Sequence, residues 1–137
     1  MKTRYKILIG VVITTLVAMV SFYIYFPILL AGPIEPLHFH VGTNDNVNRH
    51  NITIEIFNYN NKSIFKETYN LDPKEGIDSP GITKRRGKYT IKVTVDDEIT
   101  RTSKAYVEYC GESFVDIGVG IDPISGEISI WIGQKLV

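Results

Sequence analysis

The sequence predicts an all-β body, a seven-stranded Greek-key sandwich of two sheets, preceded by one N-terminal transmembrane helix. Three observations lead there. A charge-free apolar run, Ile7–Phe26, opens the chain. Beyond Pro36, apolar residues recur at every second position rather than every third or fourth. Clusters of Gly, Pro, Asn and Asp cut that pattern into short pieces, as expected for half-buried strands joined by turns.

The apolar run decides location. About twenty helical residues at ~1.5 Å each cross a hydrocarbon core of ~30 Å, and "PILL" carries the run on to Leu30. A helix pairs every backbone group internally, as lipid demands. The hydroxyls of Thr14, Thr15 and Ser21 can bond carbonyls one turn back. Ile7 and Leu16 supply apolar anchor surface, while Phe22 and Tyr25 belong to an aromatic cluster suited to the membrane interface. Pro27 is expected to loosen or stop the helix. Lys2, Arg4 and Lys6 precede the run, and no Lys or Arg follows it until Arg49. The positive-inside rule then puts the N-terminus in the cytoplasm and the rest outside. The expected division is a cytoplasmic tail (1–6), a transmembrane helix (7–30), a linker (31–36) and an extracytoplasmic domain (37–137). A cleaved secretory signal is the competing reading. Its apolar region is ~7–15 residues long, shorter than this one, and the large Leu29 spoils "LLAG" as a cleavage site. Either way the body is exported.

Each strand follows from its alternation. Leu37, Phe39 and Val41 alternate with His38 and His40; Ile52, Ile54 and Ile56 alternate with Thr53 and Glu55. "KSIFKETYNL" (62–71) is a third strand. In "GKYTIKVTVD" (87–96), Tyr89, Ile91, Val93 and Val95 face one way. Ala105, Val107 and Tyr109 form the inner set of 99–109. Val115, Ile117, Val119 and Ile121 form the next, and Ile128, Ile130 and Ile132 the last. The breaks are turn chemistry: "NYNNK" (58–62) can supply positive φ, Asp96-Asp97 makes a short turn, and "DPISG" (122–126) ends in Gly. The longest connection, 72–87, is expected to cross between sheets or to carry function.

"GKYTIKVTVDDE" (87–98) resembles the Gly-x-Tyr-x-Val-x-Val strand of immunoglobulin-like and transthyretin-like sandwiches. From His50 to the end the chain is similar to small membrane-anchored Ig-like domains of archaeal and some bacterial envelopes. That resemblance implies an Ig-like β-sandwich and brings no catalytic residue with it. "NRHNITIEIFN" looks like the stretch bearing the first copper ligand of plastocyanin-like cupredoxins, and "YVEYC" resembles their cysteine strand. By that match His50 and Cys110 are ligands. The second His and the Met expected soon after the Cys are missing from "GESFVDIGVG" (111–120), so the resemblance implies a related sandwich without a blue-copper centre.

The candidate sites are few. His38 and His40 stand two apart and share one face of their strand. If the chain folds back after 44–48, His50 starts the partner strand, and His38, His40 and His50, with Cys110, form a set suited to zinc or copper. Asp45 is the one nearby carboxylate. The plainer reading is three surface histidines. Lys84, Arg85, Arg86 and Lys88 are the densest positive cluster, fit for anionic lipid, an acidic glycan or an acidic partner, or simply a solvated loop. Asp96, Asp97 and Glu98 read as a turn rather than a Ca²⁺ grip. Asn51 and Asn61 open glycosylation triplets. Cys110 is the sole cysteine, so an intrachain disulfide is impossible and a buried thiol is expected. The formal net charge of +0 gives no pull on nucleic acid.

No nucleophile elbow, phosphate loop or His-Glu-x-x-His motif is present, so no enzyme and no small-molecule substrate is expected. The function expected is a membrane-tethered, non-catalytic extracytoplasmic binding or structural module. It would hold the lipid bilayer by its helix and grip an envelope protein, surface layer or glycan through an edge strand and the 72–87 loop. No cofactor is expected. The alternative is a sandwich binding Cu or Zn through the N-terminal histidines; a weaker one is an accessory subunit contacting its complex through the helix.

Overall fold

The computed structural model describes residues 2–30, 34–108 and 113–136. The chain divides into two units, one up to Pro33 and one from Ile34 onward.

The first unit is a single helix, α1 (Lys2–Leu30), none of whose residues is buried. It is apolar all round, so no face of it is marked for a protein core. By length and composition it can cross a membrane, a measure that a signal sequence also passes. The helix begins earlier than the sequence suggests, at Lys2, and runs through Pro27 to Leu30. Thr14 and Thr15 donate to the carbonyls of Gly10 and Val11, each at 2.8 Å. Phe22 and Phe26 stack with ring centroids 4.7 Å apart.

The second unit is a sandwich of two four-stranded sheets. Its strands are β1 (His38–Thr43), β2 (His50–Phe57), β3 (Ser63–Leu71), β4 (Gly76–Asp78), β5 (Gly87–Val95), β6 (Ile99–Val107), β7 (Ser113–Ile121) and β8 (Ile128–Leu136). One sheet has the order β4-β1-β7-β8, the other β3-β2-β5-β6. All pairings are antiparallel except β1 with β7. The chain changes sheets after β1, β3, β4 and β6, and turns back within a sheet at the β2–β3, β5–β6 and β7–β8 hairpins.

Among the described residues there are eight strands, not the seven the alternation predicts. The extra one is β4, three residues inside the long 72–87 connection. It is too short to alternate visibly, and Pro73 and Pro80 flank it. After β4 the chain continues along the β1 edge: Ser79 N–H donates to Phe39 O and Ile82 N–H to Leu37 O, both at 2.8 Å. Pro80 is harmless there because an edge strand leaves one row of amides unused.

The core lies between the inward faces, as the period of two requires. Phe39, Ile52, Ile54, Ile56, Ile91 and Ile117 are all fully buried, each worth ~1.5–3 kcal/mol. Phe39 ties the sheets together, meeting Phe65 edge-on at 5.6 Å and Tyr69 at 6.2 Å. The turns use the residues expected: Asn61 has φ 58°, Asp96 and Asp97 have φ 53° and 56°, and Gly126 has φ 72°. Only Gly126 tolerates that region without steric cost.

Candidate functional site

The histidines do not converge. His38 and His40 do share the outer face of β1, because inward positions go to Leu37, Phe39 and Val41. His38 Nδ1–H donates to Pro36 O at 3.1 Å, and its ring lies 5.1 Å from that of Phe114. His40 donates from Nδ1 to Asp78 Oδ1 at 2.7 Å. His50 points inward at one end of the sandwich and is 4% exposed. Its Nδ1 lies 2.7 Å from Asp96 Oδ2 and its Nε2 2.8 Å from Asp45 Oδ2. Carboxylates only accept, so both ring nitrogens donate and neither offers a lone pair to copper or zinc. Among the described residues, no three His, Cys, Asp or Glu side chains are placed to hold a metal ion. Cys110 and Tyr109 lie outside the described residues. The alternative three-histidine set is not brought together by the described residues, and the plainer reading of three surface histidines fails for His50: β2 does not pair with β1 but lies in the other sheet, and His50 at its start faces inward.

What His50 builds is a latch. Asp45 accepts from the Val47 and Asn48 amides at 2.9 and 3.2 Å, and its own carbonyl accepts from Lys74 N–H at 3.1 Å. Asp96 accepts from Asn51 N–H at 2.9 Å. Three loops are thereby pinned to one imidazolium. Burial opposes the charge on His50, but the hydrogen bonds from its ring to Asp96 and Asp45 outweigh it and raise its pKa above 6.5. The Val47 amide, against the effect of burial and helped by His50 and Asn48, holds Asp45 at about 2. Asp96 leaves the φ < 0 region in the turn that carries it to His50, while Asp97 and Glu98 stay exposed. The arrangement fixes structure; its one solvent-facing member, Asp96, is already bonded twice.

The open feature lies elsewhere, on the outer face of the β4-β1-β7-β8 sheet. Register sets outward residues side by side in rows. One row reads Asp78, His40, Asp116, Gly133; the next reads Gly76, Gly42, Gly118, Trp131. Gly120 and Ser129 follow, with Asn44 lying over Gly120. The His40 ring lies over Gly76, where a Cβ would meet its Cε1 at 2.8 Å; beyond it the backbone of Gly42, Gly118 and Gly120 lines a hollow of about 640 Å³. Trp131 closes one side. Its ring lies down on the sheet: a Cβ at Gly118 would meet Trp131 Cε3 at 3.7 Å, and one at Gly133 would meet Cζ2 at 2.6 Å. It remains 55% exposed, so one broad side of the indole faces solvent. Among the described residues, neither the indole N–H nor the Asp116 carboxylate has a hydrogen-bond partner.

A family model described as Halobacterial Ig-like domain matches residues 48–130. The chain belongs to this family. The match runs from just before β2 into β8 and agrees with the two-sheet sandwich. No curated protein matches the chain. Among solved structures, a protein from Eubacterium rectale studied by NMR is similar at 16% identity and a TM-score of 0.43, over 74% of this chain and 91% of that one.

The remaining expected sites are scattered over the Ig-like domain. Lys84, Arg85 and Arg86 are exposed between Thr83 and β5. Lys88 sits 5.9 Å from the centre of the Tyr106 ring, and the Tyr89 hydroxyl donates to Arg85 O. None of the four lines the hollow. Asn51 and Asn61 are exposed. The hollow itself escaped the sequence reading, which attended to the inward residues of 113–121 and 128–136. The signal was in the other half of the alternation, where Gly118, Gly120 and Gly133 surround the only Trp.

Proposed function

We propose that the chain is a membrane-tethered, non-catalytic binding module, held by α1 with its Ig-like domain outside the cell. The observation that carries this reading is the glycine-floored hollow with an exposed indole and a carboxylate, Asp116, that has no hydrogen-bond partner among the described residues. A large aromatic left half in water on a recessed face marks an interaction surface. Tethering supports it: a helix confines the domain to the membrane surface and raises its effective concentration toward envelope partners. The site used is therefore the sheet face rather than the edge strand or the 72–87 loop, part of which is occupied in covering β1.

The test is adhesion. Vesicles carrying the full chain are mixed with envelopes from cells that lack the protein. Saturable attachment that Trp131→Ala abolishes is the expected result; attachment absent, or indifferent to that substitution, overturns the reading.

A further inference from the structure

We propose that the hollow on β1, β7 and β8 binds a neutral glycan, with one sugar ring stacked on Trp131 and its hydroxyls donating to Asp116. This rests on the binding-module reading above and narrows it to a ligand class.

Shape comes first. The floor between His40 and Trp131 is glycine backbone: a Cβ at Gly42 would meet His40 Nε2 at 3.4 Å, and one at Gly118 would meet Trp131 Cε3 at 3.7 Å. Its volume of about 640 Å³ falls within the ~300–1,000 Å³ of small-molecule sites. A pyranose ring is a disc whose C–H-rich face carries partial positive charge. The π face of an indole is negative, so the two attract while both shed water. Trp131 rests on Gly118 and Gly133, which fixes its ring before any ligand arrives and reduces the ordering cost of binding.

The polar groups match the rim of such a ring. Asp116 lies diagonally across the β7–β8 ladder from Trp131, ~7–8 Å away along the sheet, within reach of the hydroxyls of a stacked sugar. An ionised carboxylate accepts at two oxygens and donates nothing; sugar hydroxyls provide the donors that Asp116 lacks. Asn44 and Ser129, at the other end of the hollow, can both donate and accept.

Charge selects among sugars. Asp116 and Asp122 line the hollow and Asp78 borders it. The one basic side chain among the lining residues, His40, is bonded to Asp78, and Lys135, diagonal to Asp116 on the same face, is a single positive charge against three carboxylates. An anionic polymer is therefore repelled. A small organic cation would suit Trp131 and Asp116, but it leaves Asn44, Ser129 and the indole N–H without a role, and a hydroxyl-rich ligand serves all of them.

Trp131 is the only tryptophan, so its fluorescence reports on the site directly. The full chain is held in polyoxyethylene-ether micelles, which contain neither sugar nor ammonium groups. Hexasaccharides of glucose, mannose and N-acetylglucosamine are titrated, with polygalacturonate and tetramethylammonium as controls. The expected result is a saturable emission change with at least one neutral oligosaccharide, weakened about tenfold or more by Asp116→Asn, a loss of about 1.4 kcal/mol or more. Calorimetry on Trp131→Ala, which lacks the reporter, is expected to show no binding. The proposal is overturned if no neutral sugar responds up to about 10 mM, where binding is worth under ~3 kcal/mol. It is equally overturned if only tetramethylammonium or polygalacturonate responds. Envelope adhesion that persists without sugar binding leaves the module reading intact with a protein partner; sugar binding without adhesion does the reverse.

Discussion

Replacing Gly133 by alanine asks whether the indole of Trp131 is laid on the sheet as described. A methyl group at Gly133 would sit 2.6 Å from Trp131 Cζ2 and 2.8 Å from Cη2, well inside contact distance, so the ring must lift. Trp131 is 55% exposed, and an aromatic side chain buries ~150–250 Å² when fully covered. The covered 45% is then ~70–110 Å², which at ~25 cal/mol per Å² is a ceiling of ~1.7–2.8 kcal/mol. Part of that area is covered again after the ring moves, so a loss of ~1–2 kcal/mol is expected. Gly118→Ala provides the contrast. Its new methyl would lie 3.7 Å from the ring, an ordinary contact, and alanine is favoured over glycine in a strand by up to ~1 kcal/mol. Urea titrations of the full chain, followed by the β signal in circular dichroism, give both values. Trp131 emission should shift to the red in Gly133→Ala alone. In a Trp131→Ala background the cost of Gly133→Ala should vanish, which a double-mutant cycle measures. Equal stability of the two alanine variants, with unchanged emission in both, would refute the placement of the ring.

Stability should depend on pH through the latch. The folded pKa of His50 is raised above 6.5, so its contribution is complete below that pH and fades as pH climbs through the folded value. Asp45 falls from 3.8 to about 2, so its contribution is present above 3.8 and disappears as pH drops toward 2. Urea midpoints should thus decline in the parent chain as pH rises above about 6.5, and His50→Gln should flatten that limb; a decline of the same size in the variant would assign it to another group. In the core, Ile54 is fully buried, and Ile54→Ala should cost ~2–5 kcal/mol by the same titration. Lys66 is 64% exposed and 3.8 Å from Glu55, so Lys66→Ala should stay within ~0.5 kcal/mol.

Much of the fold was legible because one period governs it. Seven strands could be read from residues such as Ile52, Ile54 and Ile56, since burial on one face demands an apolar residue at every second place. β4 was hidden because three residues between prolines carry no period. The site was harder to read. His38, His40 and His50 are close in sequence, and closeness suggests a cluster, yet the chain changes sheets after β1, so His50 faces inward from the other sheet while the first two face outward. Its partners Asp45 and Asp96 come from two different turns, a pairing that register creates and sequence does not display. The hollow depends on which glycines become neighbours across strands: Gly42 and Gly118 are far apart in the chain and adjacent only through the parallel β1–β7 ladder.

The claim beneath all of this is that α1 sits in lipid and displays the sandwich outside. Intact cells treated with an amine reagent that cannot cross membranes test it most directly. Lys66, on the exposed face of β3, should be modified without lysis, and Lys2 and Lys6 only after the cells are opened. Modification of Lys2 and Lys6 in intact cells, with Lys66 protected until lysis, would contradict it.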